Sequence, residues 1–327
     1  MFIATIDGGT TNSRVYIWQD SRIISQATRH IGVRNTAIDN SNQKLMQSIH
    51  DALFEALNAV NITEKDLDAI LASGMLTSNV GIMEIPHITA PVTINELSES
   101  ITVRKIPEIA EKPILFIPGI KNIADQDITS DNIADMDIMR GEETEAAGLA
   151  EYYPLQGLSV LILPGSHNKY IFMRDQQILG CITTIAGELL NSMTFDTILA
   201  DSVGRGFAEA FNQHAFLRGV EYVKKFGFGH AGFLTRIADL FGGYNYNQAQ
   251  NYLLGLLLGD DFTSICKNQY FDLRRASFIV CGKPVMQSGY ACLLEHGRWK
   301  YTLVPQNKQE ALAGYGAVSL AKRHHLL

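Results

Sequence analysis

Two periods of apolar positions follow one another along this chain. Phe2-Ile3-Ala4-Thr5-Ile6 is an apolar, β-branched run that predicts a buried strand, and Val15-Tyr16-Ile17-Trp18 predicts a strand returning beside it. Arg22 to Ala27 reads as a third antiparallel strand. Leu45, Ile49, Leu53 and Ala56-Leu57 then recur at helical spacing over Asn42 to Val60, and Leu67 to Ala72 and Pro113 to Ile117 predict further strands. The opening then comes round again, with Leu158 to Leu163 as strand, Tyr170 to Met173 as return and Ile178 to Ile185 as third strand. Two strand-loop-strand units some 155 residues apart point to an internal repeat. The second half is largely helical. It predicts helices from Gly187, over Gly204 to Leu217 and over Tyr246 to Cys266, then strand Ala276 to Val280 and helix Val285 to Glu295. Strand Tyr301 to Val304 and a closing helix, Glu310 to Ala321, end the chain.

The chemistry lies where these elements join. Between the first two strands stands Asp7-Gly8-Gly9-Thr10-Thr11-Asn12-Ser13-Arg14. Adjacent glycines allow a tight turn and close approach of a ligand to the backbone, backbone N–H groups there can cradle an anion, and Asp7 could orient a hydrated Mg²⁺. An ordinary hairpin with a polar loop is the competing reading. The repeat carries Pro164-Gly165-Ser166-His167-Asn168-Lys169 in the same place, so glycine, hydroxyl, polar residues and a cation recur in order. Ser73 to Gly81 and Pro118-Gly119-Ile120 follow strands, where open α/β sheets bind ligands and where surface connections also run. Cys281-Gly282-Lys283-Pro284 is a strand-glycine-helix turn that could admit a nucleotide or simply connect elements. Met139-Arg140-Gly141-Glu142-Glu143-Thr144 reads as a helix start whose carboxylates face the positive end of the macrodipole. Capping explains one or two of those glutamates but not the Arg140-Gly141 before them, which keeps a catalytic role open.

Composition narrows the class. At 327 residues the chain suits two domains, and 46% hydrophobic with 19% charged residues is ordinary for a globular protein. A net charge of −7 with no basic block argues against nucleic acid, the one basic cluster being Lys322-Arg323-His324-His325 at the end. Cys181, Cys266, Cys281 and Cys292 are widely spaced with no C-x-x-C, which fits reduced thiols in the cytoplasm. No signal peptide is evident, and no apolar run reaches the roughly 18–20 residues of a membrane helix. Asp125, Asp127, Asp131, Asp135 and Asp137 lack the EF-hand offsets, so a solvated loop is favoured over a metal site.

Taken together, a glycine-loop unit, an acidic helix start, a second such unit and a strand-glycine-helix turn resemble the sugar kinase, hsp70 and actin superfamily. That resemblance implies an α/β protein of two ribonuclease-H-like domains with a nucleotide cleft between them. The expected division is 1–145 and 146–327, with a closing helix, 308–321, returning to the first domain. Within the superfamily the chain is most similar to the 2-dehydro-3-deoxygalactonokinases. Met139-Arg140-Gly141-Glu142-Glu143-Thr144 and Pro164-Gly165-Ser166-His167-Asn168-Lys169 carry the specific part of that likeness. Asp7 to Arg14, Ser73-Gly74-Met75, Ser78-Asn79-Val80-Gly81, Pro118-Gly119 and Gly187-Glu188-Leu189 carry the rest. Two departures stand out: Gly8 replaces a bulky residue, usually tryptophan, and Ser166 replaces threonine.

The resemblance implies ATP-dependent phosphorylation of the C6 hydroxyl of 2-dehydro-3-deoxygalactonate. Gly8, Gly9, Thr10, Thr11, Gly165 and Ser166 would meet the phosphates, Asp7 would hold Mg²⁺ through water, and Gly282 would let adenosine pack on the backbone. Glu142 is the first choice of general base and Glu143 the second. Arg140 and Arg14 would pair with the substrate carboxylate. Lys169 and His167 would serve phosphate or substrate, and Ser73, Gly74, Met75, Ser78 and Asn79 would shape substrate choice. The implied partners are ATP and a small sugar acid, with a homodimer open as the assembly state and neither nucleic acid nor membrane. Rival readings are a kinase of the same fold for another acidic sugar or polyol, and a non-enzymatic actin-like nucleotide-binding protein.

Overall fold

In the computed structural model, which describes residues 1–122, 127–268 and 271–323, strand Phe2–Gly8 is hydrogen-bonded on both sides. It pairs antiparallel with Ser13–Gln19 and parallel with Ala69–Gly74. Across the sheet the order is Arg22–Arg29, Ser13–Gln19, Phe2–Gly8, Ala69–Gly74, Ala110–Phe116 and Thr102–Ile106. The helical spacing of Leu45, Ile49, Leu53 and Leu57 becomes helix Gln43–Asn58, whose buried stripe shares one core with Ile6, Val15, Ile17, Ile70 and Ile114. Each of those leucines, buried, is worth about 1.5–3 kcal/mol relative to exposure.

The closing helix, Leu312–Arg323, crosses helix Glu142–Tyr152 at close range. A Cβ on Gly316 would lie 1.8 Å from the Thr144 carbonyl oxygen, and one on Gly148 would lie 2.8 Å from that of Leu312. Tyr152 stacks on Tyr315 with ring centroids 4.4 Å apart, and Tyr16 donates its hydroxyl to the Glu310 carbonyl at 3.0 Å. This packing fixes the helix that carries the acidic motif.

The chain repeats this strand order. Gln177–Thr184, Asn168–Arg174, Leu158–Leu163, Ser277–Val280 and Lys300–Leu303 lie side by side, the last three parallel. Helix Tyr246–Cys266 is apolar along its middle because that stretch is enclosed, every residue from Tyr252 to Gly259 being buried. It meets helix Gln213–Phe226 so closely that a Cβ on Gly255 would lie 2.0 Å from the Phe216 carbonyl oxygen. Among the described residues no helix is long and apolar enough to cross a membrane.

Residues Met1–Gln156, Met173–Cys181 and Glu310–Leu327 form one compact unit, and Gly157–Phe172 with Ile182–Gln309 form the other. A cut at 145/146 would pass through helix Glu142–Tyr152, which clusters whole with the first unit. The helix expected over Gly204 to Leu217 begins instead at Gln213, where Asn212 Oδ1 accepts the Ala215 N–H at 3.0 Å. Gly204 and Arg205, at φ of 62° and 49°, have left-handed backbone that no helix continues through. Helix Phe228–Leu240 and strand Thr102–Ile106 have no counterpart in the sequence reading. Asp125, His324 and His325 lie outside the described residues. Among those described, no three or more His, Cys, Asp and Glu side chains gather to hold a metal ion.

Candidate active site

In the first unit three glycines bring the acidic helix start to the end of the sheet. Gly8 pairs with Gly74 in parallel register, and a Cβ on Gly74, at φ +74°, would lie 2.6 Å from the Gly8 carbonyl oxygen and 3.1 Å from Asp7 Oδ1. Gly141, at φ +115°, would in turn place a Cβ 3.2 Å from Gly74 Cα. Side chains at these positions would lift the helix away, and the positive φ angles would strain them further. Glu142 is therefore near enough to Asp7 for the two carboxylates to interact.

Asp7 lies opposite Arg14 across the hairpin, with Nη1 to Oδ2 at 3.5 Å. Burial raises its pKa above the ordinary carboxylate value against the pull of Arg14, and Glu142 adds to the rise. Gly9 N–H donates to the Asn12 carbonyl at 2.8 Å, which closes the turn and leaves Thr10 and Thr11 exposed. A helix start backs this loop: Val33 and Arg34 donate their N–H groups to the carbonyls of Gly9 and Thr10, at 3.2 and 2.9 Å. The space beside Gly8 is filled by Leu76, whose Cγ would lie 2.2 Å from an added Cβ.

The two glutamates of the motif have different surroundings. Glu143 is 0% exposed, and both its carboxylate oxygens accept the Gly141 N–H, at 2.9 and 2.7 Å. Burial, with Glu142 beside it, pushes its pKa up to about 8. Glu142 is partly exposed, and its Oε2 accepts the Arg140 N–H at 2.9 Å. Arg140 does not offer its fork outward. Nη1 donates to the carbonyl and hydroxyl oxygens of Thr77, while Nη2 donates to the Ile85 carbonyl and His87 Nδ1, both at 3.1 Å. With both terminal nitrogens bonded to protein, Arg140 is an internal brace in this structure, and the bidentate substrate contact expected of it is not available. Ser73 and Ser78 are buried, with Ser78 Oγ donating to the Met75 carbonyl at 2.7 Å. Met75 is partly exposed and Asn79 exposed.

In the second unit the loop Pro164–His167 is framed in the same way. A Cβ on Gly187 would lie 1.9 Å from the Gly165 carbonyl oxygen, so the start of helix Ala186–Phe195 rests directly on the loop. Glu188 N–H donates to the Ser166 carbonyl at 3.0 Å. Gly165 and Ser166 line a cavity of about 720 Å³, together with Gly187, Leu253, Lys283 and Met286. Gly282, at φ +103°, lies against Pro164, and its N–H donates to Gln309 Oε1 at 2.7 Å. It shapes the turn before Lys283 and does not itself line the cavity. His167 Nε2 lies 2.8 Å from Glu188 Oε1 in an exposed pair. Lys169 is 5% exposed and donates from Nζ to Thr183 Oγ1 at 2.6 Å, so it belongs to the interior of this unit.

Residues 7–318 match the family model for 2-keto-3-deoxy-galactonokinase. This chain belongs to that family. It is 24% identical over 287 residues to the 2-dehydro-3-deoxygalactonokinase of Escherichia coli (strain K12), covering 85% of this chain and 84% of that one. It is 26% identical over 261 residues to the protein of Rhizobium meliloti (strain 1021) named as a 2-dehydro-3-deoxygalactonokinase, DgoK1, covering 79% and 78%. A crystal structure from Sinorhizobium meliloti, described as a protein of that name, superposes with a TM-score of 0.78 at 22% identity, covering 99% of this chain and 100% of the other. A structure from Porphyromonas gingivalis, described as an N-acetylglucosamine kinase, gives a TM-score of 0.50 at 10% identity, covering 97% and 99%. Those two superpositions carry the fold.

Two residues of this galactonokinase-family chain escaped the sequence reading. Glu145 follows Glu142 by one helical turn on the same face. Burial and the charges of Glu142, Asp7 and Glu143 push its pKa up to about 8. The i, i+3 spacing was the available signal. His87 accepts from Arg140, and burial with that guanidinium nearby brings its pKa down to about 4. Nothing in its sequence neighbourhood marks it, because the partner is 53 positions away.

Proposed function

We propose that this chain transfers the γ-phosphoryl group of ATP to the C6 hydroxyl of 2-dehydro-3-deoxygalactonate, with Glu142 as general base. Family membership supports ATP-dependent phosphorylation of the galactonate derivative. Among the named residues, one observation carries the assignment: Glu142 is the motif carboxylate that reaches solvent, held beside Asp7 at the helix start, whereas Glu143 is sealed against Gly141. In phosphoryl transfer the carboxylate orients the attacking hydroxyl and accepts its proton, while positioned donors take up charge on the phosphoryl oxygens. In this reading the loop Gly8 to Thr11 would meet phosphate through the N–H groups of Thr10 and Thr11, and the loop Gly165-Ser166 through that of Ser166, since the N–H groups of Gly9 and Gly165 are bonded within their own loops. The cavity beside Ser166 receives the nucleoside. Arg14 is half-exposed and serves the carboxylate or phosphate end of the ligands.

Mg²⁺ fits the donor set. Glu142 adds to the rise in the pKa of Asp7, and Glu142 and Asp7 add to that of Glu145, so a cation between these carboxylates would relieve their mutual repulsion. That suits a hydrated cation held by one or two carboxylates better than a protein cage. Asp7 would hold it, and the ion would screen charge on the β- and γ-phosphates.

The test is sugar-dependent ADP release by wild type and Glu142→Gln, against a panel of 2-keto-3-deoxy sugar acids, aldonates and neutral hexoses. Glu142→Gln should lower kcat by about 10²–10⁴ with ATP binding retained. Retained turnover would sink the base assignment. A preference for another sugar acid would keep the chemistry and move the specificity.

A further inference from the structure

We infer that Asp261, in the interior of helix Tyr246–Cys266, is a positioning residue for the loop Pro164–His167 and acts on bound ATP through Asn168. This rests on the reading that Gly165-Ser166 meets the ATP phosphates.

Asp261 is a carboxylate 5% exposed, following the buried apolar run Leu253 to Leu258, whereas its neighbour Asp260 is exposed. Its Oδ2 accepts from Asn168 Nδ2 at 2.9 Å and from the Tyr170 hydroxyl at 2.6 Å. Asn168 Nδ2 also donates to the Tyr290 hydroxyl at 3.1 Å, and the two phenols are 2.8 Å apart. Asn168, Tyr170 and Tyr290 are all fully buried. On its other side, Asn168 Oδ1 accepts the Gly165 N–H at 3.2 Å.

Asp261 Oδ2 accepts from both the Tyr170 hydroxyl and Asn168 Nδ2, and that acceptor sets which way the Asn168 amide faces. With NH₂ toward Asp261, the amide carbonyl must face Gly165. Turned over, the amide would set a donor against the Gly165 N–H. Both phenols are held protonated, with pKa values well above the ordinary range through burial, and so remain donors. A buried carboxylate costs several kcal/mol unless satisfied. Packing alone does not call for one in this leucine-rich helix. The first unit closes the matching turn without such an anchor, because there Gly9 N–H donates to the Asn12 backbone carbonyl, and the Asn12 side chain turns to Thr11 and His30. The second loop depends on a side chain for that bond, and Asp261 holds the side chain in place.

The experiment measures ATP affinity by calorimetry, KM for each substrate, kcat and Tm for wild type, Asp261→Asn, Asp261→Leu, Asn168→Ala and the Asp261→Leu/Asn168→Ala pair. Asp261→Leu should weaken ATP binding and raise KM for ATP about tenfold, the scale of one charge-assisted hydrogen bond. KM for the sugar acid should stay within about twofold. Asp261→Asn, which keeps an acceptor oxygen, should recover most of the loss, and the double variant should be no worse than Asn168→Ala. Unchanged ATP affinity, or equal rises in both KM values, would overturn the inference. Should Asp261→Leu fail to fold, Asn168→Ala decides: it should show the same rise in KM for ATP, and no rise overturns the inference. Wild type that binds no ATP overturns the reading of the loop and this inference with it. Wild type that binds ATP no better than the variants overturns the inference alone.

Discussion

The loops after Phe2–Gly8 and Leu158–Leu163 have one frame and different contents. Each turns through a glycine, each has that glycine's neighbours backed by a helix start, and in each a second glycine makes the contact possible. A Cβ on Gly32 would lie 2.5 Å from the Gly9 carbonyl oxygen, and one on Gly187 lies closer still to that of Gly165. At the root of the first loop stands Asp7, with its pKa raised among other carboxylates. At the root of the second stands Leu163, 7% exposed, and beyond it a cavity. The same backbone device thus stands beside a carboxylate in one unit and beside a cavity of mixed polar and apolar lining in the other. What differs is a handful of side chains at the strand ends, which shows how a duplicated frame can divide labour without changing topology.

Exchanging the roots is the severest test of that contrast. Asp7→Leu should lower kcat by about 10²–10⁴ while ATP affinity falls far less, because the carboxylate is assigned to chemistry and not to nucleoside binding. Leu163→Asp buries an unpaired carboxylate and should cost roughly 1–3 kcal/mol of stability in denaturant titration, without creating activity. Next in size are the backing glycines. Gly187→Ala and Gly32→Ala should each cost about 1–3 kcal/mol through forced backbone shifts. The first should fall mainly on KM for ATP and the second mainly on kcat, so a common effect of both on one parameter would erase the proposed division.

A smaller effect concerns pH. Glu143 has a folded pKa of about 8 against an ordinary value of 4.5, so between those values the unfolded chain is ionised there and the folded chain is not. The folded state then binds more protons, and stability falls as pH rises. Its contribution is complete below about pH 4.5 and lost by about pH 8. Glu143→Gln should flatten the fall of unfolding free energy across that window by up to about 1.4 kcal/mol per pH unit, read by denaturant titration at each pH. An unchanged slope would remove Glu143 from the account. Smallest of all, His167→Ala should change stability by no more than about 1 kcal/mol, since the pair with Glu188 is exposed.

Much of this was legible in the chain itself. Strand runs such as Phe2 to Ile6 and Leu158 to Leu163, the helical spacing of Leu45 to Leu57, and the recurrence of a glycine-hydroxyl loop are local patterns, fixed by residue type and period. They determined the α/β class, the repeat and the family likeness, and they put Asp7, Glu142, Gly165 and Ser166 on the page as candidates. Tertiary structure decided what each candidate can do. Arg140 and Lys169 read as free cations, yet each donates to protein oxygens supplied by distant residues. Glu142 and Glu143 are neighbours of identical chemistry, and only burial separates the one that meets solvent from the one that does not. Asp261 stands just past the apolar run Leu253 to Leu258, and its tie to Gly165 runs through Asn168, 93 positions away. A sequence specifies which groups are present and the period on which they repeat. Which of them are desolvated, and which already have partners, depends on contacts between residues far apart in the chain.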